Sequence, residues 1–180
     1  MEFKNTALEG VLEIVPKVFE DTRGYFFEAY AKKEFEKAGI NFEFVQENES
    51  LSNKDVLRGL HFQKRPYAQG KLVRVISGSI RDFVVDIRIE SPTYSKWISY
   101  ELNSENKKML WIPEGFAHGF LTLENNSIIQ YKLAEYYNKS FESGIIWNDP
   151  DLKIDWGIKD PILSEKDSKH PLLRTYTDIF

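Results

Sequence analysis

Residues 56–74 hold a histidine and a lysine whose types and spacing could support proton-transfer chemistry. His61 and Lys71 stand at the two ends of a loop marked by Pro66 and Gly70, and the sequence on both sides is typical of strands. A general base beside a cation can remove a proton next to a carbonyl and stabilise the resulting oxyanion. An ordinary hairpin with a polar rim explains the same residues equally well, so this stretch alone does not decide the function.

Composition limits the classes of protein to which the chain can belong. Its 180 residues, 42% of them hydrophobic and 14% aromatic, predict one globular domain over residues 1–180. The chain has no cysteine, which excludes a disulfide framework, a thiolate metal site and a cysteine nucleophile. A net charge of -4 argues against a nucleic-acid-binding protein. A local arginine and lysine cluster could still bind a phosphorylated small molecule.

Neither a signal peptide nor an apolar run of about 20 residues is visible in the sequence. We therefore expect a cytoplasmic protein with no membrane partner.

Short alternating strands dominate the rest of the chain and predict an all-β fold. About ten are expected, including one over residues 42–48, one over 80–89 with a packed and a wetter face, and a hairpin at 124–126. The only convincing helix covers residues 31–38, with Gly39 ending it. An antiparallel sandwich or barrel of the jelly-roll or cupin type follows, with room for one small ligand. From about residue 148 we expect an irregular tail.

The three histidines of the chain can be weighed one by one. His170 lies in a proline-rich tail and is expected to be exposed, whereas His61 and His118 lie in glycine- and aromatic-rich strands. Many cupins bind a metal through a His-x-His pair, but this chain has His61-Phe62-Gln63. His61, His118 and one carboxylate could still form a triad. Lys71 in the same cavity would repel the metal, so no metal is expected.

Other candidates have ordinary explanations when they are considered alone. Tyr131 suits a strand aromatic, and Arg23, Arg58 and Lys166 suit surface charges. These residues gain meaning only when several segments are read together. The segments are Asp-Thr-Arg-Gly at 21–24, Gln-Glu-Asn-Glu-Ser at 46–50, Leu-Arg-Gly-Leu-His-Phe-Gln at 57–63, Gln-Gly-Lys-Leu-Val-Arg-Val at 69–75, Val-Asp-Ile-Arg at 85–88, Ser-Pro-Thr at 91–93, Leu-Trp-Ile-Pro-Glu-Gly-Phe-Ala-His-Gly-Phe at 110–120, Trp-Asn-Asp-Pro at 147–150 and Leu-Ser-Glu-Lys-Asp at 163–167.

In this order the segments resemble the dTDP-4-dehydrorhamnose 3,5-epimerase family, from about residue 10 to about residue 167. The resemblance implies a cupin-fold, cofactor-free enzyme that epimerises C3 and C5 of dTDP-4-keto-6-deoxy-D-glucose to give dTDP-4-keto-L-rhamnose. It makes His61 the general base, oriented by Asp167. Lys71 would stabilise the enolate oxygen, and Tyr131 would return the proton from the opposite face of the sugar.

The resemblance also implies a set of substrate-binding residues: Arg23, Glu28, Gln46, Asn48, Arg58, Lys71, His118, Glu142 and Lys166, with Phe19 and Tyr137 facing the thymine or the sugar. Guanidinium groups suit the diphosphate because their paired donors match phosphate oxygens. Beyond the resemblance, Asp82 is a candidate for positioning Lys71, with a solvated strand residue as the equal alternative.

Members of this family are homodimers that exchange N-terminal strands, so Phe19 and Arg23 could complete the partner's site. Three alternatives stay open at this point. They are a mono-epimerase acting at C3 or C5 only, a metal-dependent cupin oxygenase or isomerase, and a non-catalytic sandwich that binds sugar nucleotides.

Overall fold

The computed structural model describes residues 1–177 and 180. In chain order its elements are β1 (Glu2–Asn5), β2 (Leu12–Val15), β3 (Phe19–Asp21), β4 (Gly24–Phe26), α1 (Lys32–Lys37), β5 (Gln46–Ser52), β6 (Leu57–Gln63), β7 (Lys71–Ser77), β8 (Ser79–Asp86), β9 (Trp97–Asn103), β10 (Met109–Ile112), β11 (Phe116–Thr122), β12 (Ser127–Leu133) and β13 (Glu142–Gly144). Two short 3-10 turns follow at Asp167–Lys169 and Leu173–Thr175.

Two antiparallel sheets carry these strands. One has six strands in the order β1-β2-β10-β7-β12-β5, and the other has five in the order β13-β6-β11-β8-β9. From β5 onward the chain moves to the other sheet at every step except between β8 and β9. The predicted all-β, jelly-roll class is confirmed.

The strands on either side of the loop between His61 and Lys71 do not form a hairpin. β6 lies in the five-stranded sheet and β7 in the six-stranded sheet, so the ordinary hairpin considered for this stretch was wrong. The predicted hairpin at residues 124–126 was wrong for the same reason, because that turn joins β11 to β12 across the sheets. Turn residues indicate where a chain reverses but not which sheet receives the next strand. His61 and Lys71 therefore belong to opposite walls.

Strand β8 was expected to have one wetter face, and this was wrong. It lies between β11 and β9, and both of its faces are covered. Phe83 and Val85 pack under the C-terminal segment, whereas Val84 belongs to the core between the sheets. Asp82 and Asp86 are fully buried on that inner side. Alternation of polar and apolar residues gave no sign of this, because a buried carboxylate looks the same in sequence as a solvated one.

A hydrophobic cluster, separate from the core between the sheets, covers the outer face of the six-stranded sheet. Helix α1 packs Phe35 against it, and the helix is followed by Gly39 at a φ of +84°, so the predicted helix is confirmed. The predicted strand at 42–48 begins only at Gln46. Phe42 and Phe44 instead pack on Trp111, with their ring centroids 5.4 and 6.0 Å from that of the indole.

No helix of residues 1–177 is long and apolar enough to span a bilayer.

Strands β6 and β11 approach each other closely beside the two strand histidines. Gly59 has a φ of +132°, and a Cβ there would lie 2.5 Å from the Cα of Gly119. Only glycine tolerates both that conformation and that contact. The register then sets His118 opposite His61. The close approach thus places both imidazoles on neighbouring strands of one wall.

Candidate active site

The hydrogen bond between His61 and Asp167 joins β6 to the C-terminal segment. Nε2 of His61 lies 2.6 Å from Oδ1 of Asp167. Burial alone would raise the pKa of Asp167, but the hydrogen bond and charge of His61, with smaller contributions from Ser164 and His170, outweigh it and lower that pKa. The carboxylate is therefore ionised and accepts the proton carried by Nε2. Nδ1 of His61 is left as the basic nitrogen.

Lys71 begins β7 on the opposite wall. Burial lowers the pKa of its ammonium from 10.5 to about 8, although the charges of Asp82 and Glu142 act in the other direction. At neutral pH the side chain is cationic, in surroundings where a charge interacts strongly with whatever lies beside it.

Two adjoining cavities lie between the walls, of about 340 and 240 Å³. His61, Lys71, Tyr131 and Glu142 line both of them. Tyr131 comes from β12, which pairs with β7, so the phenol and the ammonium share the wall opposite the imidazole. A base, a cation and a weak acid thus surround a space the size of a small ligand.

Asp82 makes its hydrogen bond to His118, whose Nε2 lies 2.8 Å from Oδ2. Since Asp82 is fully buried, the solvated alternative was wrong. Its charge acts on Lys71 by raising that residue's pKa. The structure therefore links Asp82 to both residues, with His118 as the hydrogen-bonded partner.

Several of the predicted binding residues line the larger cavity together, namely Gln46, Asn48, Tyr137 and Glu142. Gln46 donates to Asn48 at 3.0 Å, and the hydroxyl of Tyr137 donates to Glu142 at 2.8 Å. Glu142 also forms an ion pair with Lys166.

Ionisation of Glu142 reflects two opposing effects. Burial would raise its pKa, but the hydrogen bonds from Lys166 and Tyr137, together with the Lys166 charge, lower it. The hydrogen bond between Tyr137 and Glu142 also raises the pKa of the Tyr137 hydroxyl.

Arg58 and His118 line the smaller cavity, and Nε of Arg58 donates to Ser52 at 3.0 Å.

Four predicted binding residues line neither cavity. Lys166 reaches the site only through its ion pair with Glu142. The other three, which lie apart from the site of this chain, are Phe19, Arg23 and Glu28. Phe19 and Arg23 belong to the two-stranded β3-β4 arm, which joins neither large sheet. Phe19 is 52% exposed, and the Arg23 guanidinium contacts its neighbour Asp21. Glu28 is also exposed. Within one chain these side chains have no part in the site.

Sequence reasoning missed some residues that line the site, including Gln63, Gln69, Ser50 and Phe120. Gln63 donates to the carbonyl oxygens of Tyr67 and Tyr136, at 2.7 and 3.1 Å, and accepts from the amide of Asn138. It thereby holds the loop that carries Tyr137. Its place two residues after His61 in a strand, and thus on the same face, was the available signal.

The expectation that His170 is exposed was wrong. Its side chain is only 9% exposed and lies beside Asp167, with Nε2 3.4 Å from Oδ1. The turn at Asp167–Lys169 folds the chain back onto β6, which brings His170 next to the hydrogen-bonded pair of His61 and Asp167. Proline-rich composition indicated an irregular path but not that the path is buried.

One group of potential metal ligands occurs among the described residues: His61, Asp167 and His170, with ligand atoms within 4.8 Å of one another. Two ligands of a tetrahedral metal at about 2.0–2.1 Å would be about 3.3 Å apart. The 2.6 Å separation between His61 and Asp167 is that of a hydrogen bond. The proposed triad with His118 does not form, because that residue is paired with Asp82. The donor set therefore fits proton transfer better than metal binding.

Comparison with known proteins gives a consistent result. The model of the family described as dTDP-4-dehydrorhamnose 3,5-epimerase matches residues 5–175. The Shigella flexneri enzyme of that name is 51% identical over 168 residues, covering 93% of each chain. The Legionella pneumophila epimerase, solved with dTDP-4-keto-L-rhamnose, superposes with a TM-score of 0.92 at 43% identity over 96% of this chain and 93% of its own.

A more distant structure is a 3′-monoepimerase from Streptomyces bikiniensis in complex with dTDP-quinovose. It has a TM-score of 0.90 at 31% identity, over 94% of this chain and 87% of its own. Its fold and sequence are thus related, but less closely than those of the 3,5-epimerases above. The family match covers most of the chain, and the related enzymes match it nearly end to end. The chain belongs to the dTDP-4-dehydrorhamnose 3,5-epimerase family.

Proposed function

We propose that this protein is a dTDP-4-dehydrorhamnose 3,5-epimerase, which converts dTDP-4-keto-6-deoxy-D-glucose to dTDP-4-keto-L-rhamnose. One observation carries the proposal beyond family membership. The hydrogen-bonded pair of His61 and Asp167 faces Lys71 and Tyr131 across a shared cavity. Epimerisation beside a ketone needs these functions: a base, a stabiliser of the enolate oxygen and an acid on the other side of the ring.

His61 serves as the base in this mechanism. The C4 carbonyl acidifies the hydrogens at C3 and C5, and Nδ1 of His61 takes one of them while the C–H electron pair moves into the enolate. Asp167 holds the ring through Nε2 and stabilises the imidazolium that forms. The same base serves both carbons in turn, because they flank one carbonyl.

Lys71 stabilises the negative charge that moves onto the C4 oxygen. A fixed ammonium in a buried cavity is much more effective than water, which has to reorient as the charge develops. Its lowered pKa, about 8, leaves the ammonium charged at neutral pH.

Tyr131 then delivers a proton to the opposite face of the sugar. Return of the proton by His61 would restore the starting configuration, so inversion requires an acid on the other side. Tyr131 lies on β12 of the six-stranded sheet and His61 on β6 of the five-stranded sheet, which suits this requirement. Before the second carbon reacts, the phenolate regains a proton from solvent and the imidazolium of His61 loses one to solvent.

Binding of the nucleotide uses the charged rim of the cavity. Arg58 and Lys166 can neutralise the diphosphate, since both line a further cavity, of about 290 Å³, that His61 also lines. Gln46 and Asn48 offer amide groups to the sugar hydroxyls, and Tyr137 offers an aromatic face that is 49% exposed.

A homodimer would explain the β3-β4 arm. Phe19, Tyr25 and Phe26 are 52, 57 and 66% exposed there, and a bare aromatic strand of this kind invites pairing with another chain. We propose that the arm crosses to a second copy, where Phe19, Arg23 and Glu28 complete the partner's nucleotide site.

Hydrogen exchange in D2O tests the proposed reaction directly. With purified protein and dTDP-4-keto-6-deoxy-D-glucose, we expect NMR to show deuterium at both C3 and C5. His61→Ala should slow exchange at both carbons by about 10²–10⁴-fold because it removes the base. Exchange at one carbon only would point to a mono-epimerase. No exchange with the unaltered protein, or near-normal exchange with His61→Ala, would refute the proposal.

Tyr131→Phe should separate exchange from inversion. Proton removal does not need the acid, so we expect exchange to persist while net epimerisation falls by about 10²-fold or more. Tyr100→Phe is a matched control, since Tyr100 lies on β9 outside both cavities. Equal loss of exchange and inversion in Tyr131→Phe would assign that residue another role.

Activity should decline at alkaline pH through the loss of the Lys71 charge. The folded-state pKa is about 8, so the ammonium is present below that pH and disappears above it, and kcat/KM should fall accordingly. A guanidinium stays charged to above pH 12, so Lys71→Arg should remove or displace this decline even if its activity is lower. Lys54→Arg, an exposed site, should leave the profile unchanged. An unaltered alkaline limb in Lys71→Arg would contradict the assignment.

Mixing two inactive variants tests the exchanged arm. In a random mixture of Arg23→Ala and His61→Ala chains, half of the dimers are mixed, and each mixed dimer has one site with both residues intact. Recovery of about a quarter of the normal activity is expected. A mixture as inactive as its components would show that Arg23 serves the site of its own chain.

A further inference from the structure

His170 lies next to the proton-transfer site but has no role in the mechanism above. It follows the turn at Asp167–Lys169, and its imidazole lies edge-on to that of His61, with centroids 5.5 Å apart at 74°. Gly144 makes room for it, because a Cβ there would lie 2.5 Å from His170 Cε1 and Nε2. Since Gly144 pairs with His61 in the β13-β6 register, the absent side chain leaves space where the two rings meet.

Nε2 of His170 points towards the oxygen that His61 uses. It lies 3.4 Å from Oδ1 of Asp167, slightly beyond an ordinary N–H···O hydrogen bond of about 2.7–3.2 Å. This nitrogen is buried and has no hydrogen-bond partner within the described part of the chain. A buried polar atom without a partner is costly, and catalytic hydrogen bonds often tighten only when substrate binds.

We propose that His170 is a positioning residue of the proton-transfer site, a second N–H donor to the Asp167 oxygen that accepts from His61. A carboxylate oxygen can accept two such bonds. The second donor fixes the carboxylate in the orientation that His61 needs and moderates its basicity. As far as activity is concerned, this inference rests on the proposed function.

Charges around the two rings favour a neutral His170. Burial, followed by the charge of His61, lowers its pKa, and Lys166 acts in the same direction, while Asp167 opposes them. Glu142 on β13 is the further charged group that interacts with His61. When His61 becomes an imidazolium during turnover, His170 thus stays neutral. Its Nε2–H can still donate a hydrogen bond to Asp167.

Two variants distinguish a hydrogen-bonding role from packing. His170→Phe keeps a ring but removes the donor, whereas His170→Gln keeps an N–H at a similar reach. Loss of the donor makes the Asp167 oxygen more basic towards His61, so His170→Phe should raise the pKa of His61 and the acid limb of kcat/KM by about half a pH unit or more. We expect its kcat to fall about tenfold through misplacement of the base. His170→Gln should stay within about twofold.

Histidine NMR provides a readout that needs no substrate. The chain has three histidines, so the His61 ring signals can be assigned and titrated in each variant. In the unaltered protein, ¹⁵N shifts should show neutral His170 with its proton on Nε2, a result that does not depend on any variant folding.

A His170 proton on Nδ1 would overturn the inference. Equal losses in the Phe and Gln variants, with an unmoved His61 titration, would do so too, because packing alone would explain them. If the titration shifts as expected but no variant or parent epimerises the sugar, the proposed function fails and the positioning role stands.

Discussion

The hydrogen bond between His61 and Asp167 is the interaction on which the rest of the site depends. It joins two residues 106 positions apart in the chain, one on an inner strand of the five-stranded sheet and the other in a segment with no strand of its own. The C-terminal segment can supply Asp167 only because it is anchored on that sheet's outer face through Leu152, Trp156 and Leu173. Packing on one face of the sheet thus supports the Asp167 hydrogen bond that holds His61, the proposed base, on the other face.

The two-sheet architecture supplies the second requirement, which is an approach to the substrate from two sides. Consecutive strands pass from one sheet to the other, so β6 and β7 place His61 and Lys71 on opposite walls although only a short loop separates them. β12 adds Tyr131 to the second wall. A hairpin would have set base and cation on one surface. The jelly-roll path therefore suits inversion, because the proposed mechanism removes and returns the proton on different faces of the sugar.

The sequence was sufficient for the fold class, the helix and most strand positions, because hydrophobic alternation and turn residues act locally. It did not predict which strands become neighbours, and so it turned two sheet-crossing connections into hairpins. It also misjudged Asp82 and His170, since the burial of a polar side chain depends on partners elsewhere in the chain. The roles of the site residues came from the family resemblance and stay predictions, which the geometry supports. A single domain and a cytoplasmic location stay predictions.

A crystal structure with dTDP-4-keto-L-rhamnose bound would test the central claim most directly. The two-sided mechanism predicts that the sugar ring lies between Nδ1 of His61 on one face and the Tyr131 hydroxyl on the other, with the C4 oxygen beside the Lys71 ammonium. A ring with both groups on the same face, or with its C4 oxygen turned away from Lys71, would contradict it.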